Sequence, residues 1–348
     1  MSKLKMIRKK YSKFVACAFS LSFMFSGLQQ AHALDLDQYP RLQQAVAPLI
    51  AKGLYTEKEL KRVFSSISLR QEVVKKKANA AEKKLTWGGG YREGGYRGIF
   101  LQPDRIQQGA DYIKAHQGLM QRAKDELGLE SHMIAAIIGV ETKFGQNKGR
   151  HLVFESIATH ANNGSKLQFG QLPIFLTLVK QGHLPVDVKG SYSGALGIPQ
   201  FISSSYRDYG VDFDNDGRVD LVSNTADAIG SVANYFKRHQ WKMGEPVMQK
   251  VTPKSESDAR ILDQMAVRKI NSRVKPKTTL SAVAPHLQST PSDLLPETRL
   301  SIFKFLDEND QPEYFLGLHN FYVIMRYNHS ALYARAVHEL SQEISNAN

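Results

Sequence analysis

In the stretch Ser131-His132-Met133-Ile134-Ala135-Ala136-Ile137-Ile138-Gly139-Val140-Glu141-Thr142-Lys143-Phe144-Gly145, nearly every position between a polar start and a glycine stop is apolar. Ser131 is a candidate N-cap, and a helix that is apolar all round is buried on most of its sides. Glu141 follows Ile134 by seven residues, Ile137 by four and Ile138 by three, so its carboxylate falls on the stripe of the three isoleucines. Gly145 is a natural stop, which places Glu141 in the last turns, where the helix dipole disfavours a negative charge. Both effects raise a carboxyl pKa and predict a Glu141 protonated near neutrality, as a general acid must be. The spacing equally allows a glutamate paired with Lys143 or with a distant arginine at the helix end.

Outward from this stretch, the pattern before it is helical. Apolar positions such as Leu49, Ile50, Leu54, Leu60, Val63 and Ile67 recur on a charged background from Leu42 to Lys84. Trp87-Gly88-Gly89-Gly90-Tyr91 and Gly94-Gly95-Tyr96 interrupt it and read as a loop whose aromatics serve packing or sugar faces. A second helical block runs from about Asp104 to Phe144, followed by an apolar stretch at Ile174 to Lys180 and a glycine-rich segment from Ser191 to Gln200. From Lys250 to about Pro296 the texture turns to Lys, Ser, Thr and Pro with short β-branched pieces, which predicts a small inserted subdomain. Helical signals return from Tyr314 to Ile344. No internal repeat or heptad series is present.

The N-terminus carries Lys3, Lys5, Arg8, Lys9, Lys10 and Lys13, then an apolar run from Phe14 to Leu28, then Ala31-His32-Ala33. Basic residues, an apolar core and an A-x-A site in that order predict an export leader cleaved after Ala33. As a membrane anchor the run is too short, being interrupted by Ser20, Ser22 and Gly27 where a spanning helix needs roughly 20 apolar residues. Cys17 is the one cysteine and comes too early in the run for a lipoprotein site, so a mature chain has neither disulfide nor thiol nucleophile. Leader removal takes away six basic residues and lowers the formal charge from +13 to about +7. The remaining basicity suits an acidic polymer, and for an exported protein a cell-wall polymer fits better than nucleic acid. The expectation is an exported, periplasmic, soluble protein with no membrane span after cleavage.

Four ordered blocks carry a family resemblance: Gly139-Val140-Glu141-Thr142-Lys143-Phe144-Gly145; Ser191-Tyr192-Ser193-Gly194-Ala195-Leu196-Gly197-Ile198-Pro199-Gln200-Phe201; Asp227-Ala228-Ile229-Gly230-Ser231-Val232-Ala233-Asn234-Tyr235-Phe236; and Arg326-Tyr327-Asn328-His329-Ser330. Together, spanning about residues 87 to 340, they resemble the B-type lytic murein transglycosylases, glycoside hydrolase family 103. The resemblance implies a mainly α (α+β) fold, with a lysozyme-like helical core, an additional N-terminal/C-terminal helical domain and a small β-containing insertion. It implies cleavage of the β-1,4 bond between N-acetylmuramic acid and N-acetylglucosamine in peptidoglycan glycan strands. The glutamate matching Glu141 acts first as acid and then as base, without a second carboxylate, and leaves a 1,6-anhydro-muramyl end. Ser191 and Gln200 resemble groups that contact the muramyl ring, and Tyr327, Asn328 and Tyr333 resemble the far wall of the cleft. Where related sequences carry adjacent arginines, this chain has Asn162-Asn163-Gly164-Ser165-Lys166, which puts stem-peptide recognition there in question.

Asp212-Phe213-Asp214-Asn215-Asp216-Gly217-Arg218-Val219-Asp220 matches the first nine positions of a calcium loop. Asp212, Asp214 and Asp216 are the carboxylates at positions 1, 3 and 5, Gly217 makes the sharp turn, Arg218 offers its carbonyl at 7 and Asp220 stands at 9. Hard oxygen donors suit calcium, in a structural role. Position 12 is Ser223, which cannot replace a bidentate glutamate, and the resemblance implies closure by Asp227 instead. The other reading is an acidic turn held by side-chain to backbone bonds. No organic cofactor is expected.

The expected organisation is a leader over 1–33, an N-terminal helical region over 34–95, a catalytic core with the EF-hand-like loop over 96–245, a β-containing subdomain over 246–298 and C-terminal helices over 299–348 packing back on the core. Two other functions stay open at this point. One is a hydrolytic lysozyme pairing Glu141 with a second carboxylate such as Glu155, and the other is a non-catalytic wall-binding scaffold. Intact burial of Glu141 weighs against the scaffold, because a buried carboxyl without a task costs stability.

Overall fold

In the computed structural model, which describes residues 33–70, 86–88 and 95–348, the chain enters through two helices whose starts are written locally. Helix α1 (Pro40–Ala51) begins on Pro40, where a missing N–H costs nothing. Helix α2 (Glu57–Phe64) has a reciprocal cap: the Glu59 N–H donates to Thr56 Oγ1 at 3.2 Å and the Thr56 N–H donates to Glu59 Oε2 at 2.7 Å. The expected leader through residue 32, the end of the first helical pattern over 71–85 and residues 89–94 of the glycine-rich loop lie outside the described residues. No helix among the described residues is long and apolar enough to cross a membrane.

Helices α3 (Gly95–Phe100), α4 (Pro103–Ala115) and α5 (Gln117–Leu127) lead into α6 (Ser131–Thr142), the isoleucine helix. Met133 to Gly139 are all buried, as an all-apolar helix demands. Ser131 is not its cap. It is the first helical residue, and Glu130 holds the N-cap position without a side-chain cap bond, because its carboxylate is spent on Trp241 Nε1 at 2.9 Å and the Gly244 N–H at 2.8 Å.

Beyond α6 come α7 (Val153–Asn162), α8 (Lys166–Lys180) and α9 (Ser203–Tyr209), packed in series, and α10 (Thr225–Arg238), which packs on α6, with a two-stranded pair of β1 (His151–Leu152) and β2 (Lys189–Gly190). One hydrophobic core joins α1, α2 and these helices, with Phe154 stacked on Phe175 and edge-on to Phe64.

The remaining elements are β3 (Met248–Val251), α11 (Glu256–Met265), β4 (Thr278–Thr279), α12 (Leu280–Val283), β5 (Arg299–Leu306), β6 (Pro312–Gly317), α13 (His319–Tyr327) and α14 (Ala331–Ala347). The strands form an antiparallel sheet in the order β3-β6-β5-β4. Period-two alternation gives the sheet two working faces. Leu300, Ile302, Tyr314 and Leu316 enter a small second core with Leu262, Leu280 and Val283, while Phe303, Phe305 and Phe315 join the main helical core. The sheet runs through Gly317, beyond the boundary expected at 298, so the helical return begins at His319 and not at 299. Both faces of β5 and β6 are buried, so neither shows the polar alternation by which a half-exposed strand is recognised. Helix α14 then packs on α6 and α4. A Cβ at Gly109 of α4 would lie 2.4 Å from Ile344 Cδ1, so a larger residue there would have to push Ile344 aside. The protein is thus mainly α-helical with small antiparallel sheets.

Candidate active site

Helix α6 stops at Thr142, two residues earlier than Gly145 alone would suggest. Lys143, Phe144 and Gly145 take φ values of 50°, 58° and 83°, and this left-handed run reverses the chain. The N–H groups of Lys143 and Phe144 donate back to the carbonyls of Gly139 (3.1 Å) and Ile138 (3.3 Å). Two non-glycine residues in this region cost on the order of 1–3 kcal/mol each, and the surrounding packing holds them there. The Phe144 ring covers Gly139, where a Cβ would come within 2.8 Å of it. Thr142 Oγ1 donates to the Ile198 carbonyl at 2.9 Å and accepts the Gly145 N–H at 3.0 Å, tying the helix end to the glycine-rich loop.

This turn carries Lys143 away from Glu141, and its ammonium sits 3.3 Å from Asp104 Oδ2. The pairing of Glu141 with Lys143 does not occur. The Glu141 side chain is half-buried, and desolvation by the apolar packing around it pushes its pKa up to about 7, opposed only by the hydroxyl of Tyr333, which donates to Oε1 at 2.8 Å. Tyr333 is itself 2% exposed, on the first turn of α14. Burial and then the charge of Glu141 push the Tyr96 phenol up to about 12, and hold the phenols of Tyr327 and Tyr333 well above their ordinary value. Three neutral phenols therefore face the carboxyl.

The glycine-rich segment is a tight loop. The Ser191 N–H donates to the Ala195 carbonyl at 2.7 Å, the Ala195 N–H returns to Ser191 Oγ at 3.0 Å, and the Leu196 N–H donates to the Phe201 carbonyl at 2.9 Å. Gly197 has φ of 76°, and a Cβ there would stand 2.3 Å from the Leu221 carbonyl oxygen. Gln200, at φ 50°, donates through Nε2 to the carbonyls of Gly197 (2.9 Å) and Lys148 (3.1 Å). Both amide donors are thereby engaged by the loop, which leaves the side-chain carbonyl oxygen as its polar face.

Gln200, Tyr327 and Asn328 share one cavity of about 430 Å³ with Phe201, Tyr235 and Leu167. Tyr327 donates to the Pro199 carbonyl at 2.6 Å and lies parallel to Tyr333 with 6.4 Å between ring centres, which links the cavity wall to the carboxyl. Glu141 and Ser191 do not themselves line this cavity. Phe201 and Tyr235 line the cavity and Tyr96 stands near the carboxyl; the first two lie inside the quoted motif blocks but were not singled out there as candidate site residues. Their chain positions bear no regular relation to Glu141, and only folding brings them together.

Glu155, the alternative second carboxylate, is held by other partners. Its carboxylate pairs with Arg70 Nε at 2.6 Å and accepts the Ser68 N–H at 3.2 Å, tying α7 to the segment after α2.

In the acidic loop, Asp212, Asp214 and Asp227 place carboxylate oxygens within 4.8 Å of one another. Asp227 is fully buried, and its oxygens accept the N–H groups of Phe213 (2.7 Å) and Asp220 (2.6 Å). Burial raises its pKa, with Asp214 and Asp212 adding to the effect. Asp216 and Asp220 stand outside this triad: Asp216 Oδ1 accepts the Arg218 N–H at 2.9 Å, and Asp220 Oδ1 accepts those of Val222 and Ser223 at 2.8 and 3.0 Å. Three hard carboxylates, one of them buried among like charge, fit a divalent cation with oxygen preference.

A family model described as "Transglycosylase SLT domain" matches residues 38–342. The chain is 31% identical over 318 residues to the membrane-bound lytic murein transglycosylase B of Escherichia coli (strain K12), covering 89% of this chain and 84% of that protein. It is similar in structure to the soluble lytic transglycosylase SltB1 of Pseudomonas aeruginosa, with a TM-score of 0.78 and 33% identity over 88% of this chain and 99% of that one. It is also similar to the Escherichia coli lytic transglycosylase Slt35 in complex with calcium, with a TM-score of 0.74 and 29% identity over 92% of this chain and 98% of that one.

Proposed function

Since the chain belongs to the transglycosylase SLT domain family and is a peptidoglycan lytic transglycosylase of the B type, we propose that Glu141 is its single acid–base group. The observation that carries this is the half-buried carboxyl at the end of the isoleucine helix, with one side-chain hydrogen-bond partner, Tyr333, and a pKa raised to about 7. With Oε1 accepting from Tyr333, the proton rides on Oε2 and is delivered to the glycosidic oxygen as the bond to the muramyl C1 breaks. The resulting carboxylate is destabilised by its surroundings. It therefore withdraws the proton of the muramyl C6 hydroxyl as that oxygen closes on C1. Proton in and proton out balance, and the product is a 1,6-anhydro-muramyl end.

A hydrolytic pair would need a second carboxylate about 5–9.5 Å away. Glu155, the candidate partner, is instead paired with Arg70. Gln200, Tyr327 and Asn328 line the glycan cleft in this reading, and Ser191 shapes the loop that approaches the sugar. The test is mass analysis of digested sacculi. Products one water lighter than those of a hydrolase support the mechanism, and hydrated reducing ends would overturn it.

Asp212, Asp214 and Asp227 hold calcium in this proposal, with the Arg218 carbonyl available to the loop. The chemistry of the three carboxylates supports it. The ion's work is structural, pinning the 212–220 loop to the start of α10. Export to the periplasm rests on the leader's order of charge, apolar run and A-x-A site, and the early position of Cys17 favours release over lipid anchoring.

A further inference from the structure

A second cavity, of about 420 Å³, is lined by Arg238, His239, Lys275, Arg299, His319 and Arg326, with no carboxylate among its lining residues. Arg326 also lines the glycan cleft, so the two cavities meet at this side chain. None of Arg238, Lys275, Arg299 and Arg326 makes an ion pair with the described carboxylates. The Arg326 guanidinium reaches Tyr322 Oη through Nη1 at 3.2 Å, yet its buried Nε has no partner. The segment 267–277 adds Arg268, Lys269, Arg273 and Lys277 without one acidic residue. It is fixed over the start of α14, where the Ala331 N–H donates to the Ile270 carbonyl at 2.7 Å. His239 reports the same field: burial and then Arg326, Arg273 and Arg238 lower its pKa to about 4. Unpaired cations gathered around a cavity repel one another, an arrangement that a bound anion relieves.

On the reading of this chain as a peptidoglycan transglycosylase, we infer that this pocket binds the carboxylates of the stem peptide on a muramyl unit lying in the cleft. A muramyl ring held in the cleft must project its lactyl arm and peptide past the wall, and the cationic pocket opens from that wall at Arg326. Stem peptides end in, and branch with, free carboxylates, for which guanidinium forks are the matching donors. The segment 162–166 at the other end of the site offers a single cation, Lys166. The pocket supplies the charge from another side of the cleft.

The test compares glycan strands carrying stem peptides, the same strands stripped of peptide by an amidase, and strands whose stem carboxylates are converted to amides. The double variant Lys275→Gln with Arg299→Gln alters two exposed side chains, and an unchanged melting curve verifies its fold. It should lose about five- to tenfold in kcat/KM on stem-bearing strands, as expected of exposed charge pairs, and nothing on stripped strands. Wild-type protein on amidated strands should fall to the variant's level. Equal loss on stripped strands, whose lactyl arms end in a free carboxylate, would overturn the inference, as would no loss on any strand. Wild-type turnover of stripped strands reports separately on Glu141. Its absence would count against the transglycosylase reading of the site and not against the pocket.

Discussion

Glu141→Gln should do two opposite things, and their combination separates the proposed site from a merely buried glutamate. Gln keeps the shape and the oxygen that accepts from Tyr333, but it neither donates an acidic proton nor withdraws one. General acid–base catalysis contributes on the order of a hundred- to ten-thousand-fold, so turnover of glycan strands should fall by at least that much while strands still bind. Stability should move the other way. A carboxyl that titrates at 4.5 in the unfolded chain and at about 7 in the folded one holds more protons when folded, so the wild type loses stability as pH rises across that window. The shift of about 2.5 units corresponds to about 3 kcal/mol as an upper figure, and Gln escapes it. Below about pH 4 wild type and variant should melt together, and at pH 8 the variant should melt a few degrees higher. Calorimetry at the two pH values and mass analysis of digested sacculi read both effects. A difference in Tm that does not grow with pH would refute the desolvation of the carboxyl, and undiminished anhydro-muropeptide release would remove Glu141 from the chemistry.

Tyr333→Phe removes the donor that lowers the Glu141 pKa, so the alkaline limb of the pH–rate profile should move to higher pH, with turnover reduced about tenfold; an unmoved limb would deny that contact a role. Chelation should lower the Tm of the wild type and calcium should restore it, because an ion that binds only the folded chain stabilises by mass action. Asp227→Asn should abolish that response, and a melting curve indifferent to chelator in the wild type would reject the site. Glu155→Gln should cost about 1–3 kcal/mol by loosening the Arg70 contact, while kcat on glycan strands changes less than threefold; a dead variant would bring back a two-carboxylate mechanism.

How far the chain could be read from its letters differs between its parts, for physical reasons. The isoleucine helix and its glutamate were legible because burial on all sides leaves an unbroken apolar run, and a lone carboxyl within such a run is desolvated wherever that helix packs. Even there the boundaries slipped. The cap at Ser131 failed because Glu130 finds partners more than a hundred residues away, at Trp241 and Gly244. The stop moved from Gly145 to Thr142 because tertiary packing holds Lys143 and Phe144 at positive φ, against their local preference. Strands β5 and β6 were hidden for the converse reason: a strand buried on both faces lacks the alternation that announces a strand.

The site divides along the same line. Asp212, Asp214 and Asp216 look alike in the linear calcium pattern, yet only the first two bring carboxylate oxygens together with Asp227, while Asp216 accepts the Arg218 N–H. Tyr327 and Tyr333 stand six residues apart across the break between α13 and α14, and that break lets one phenol hold the loop at Pro199 while the other holds the carboxyl. Glu141 is poised by the last helix of the chain, 192 residues downstream in sequence, and a deletion at the C-terminus that unseats α14 would therefore remove the donor to Glu141 before it touched any part of the glycine-rich loop.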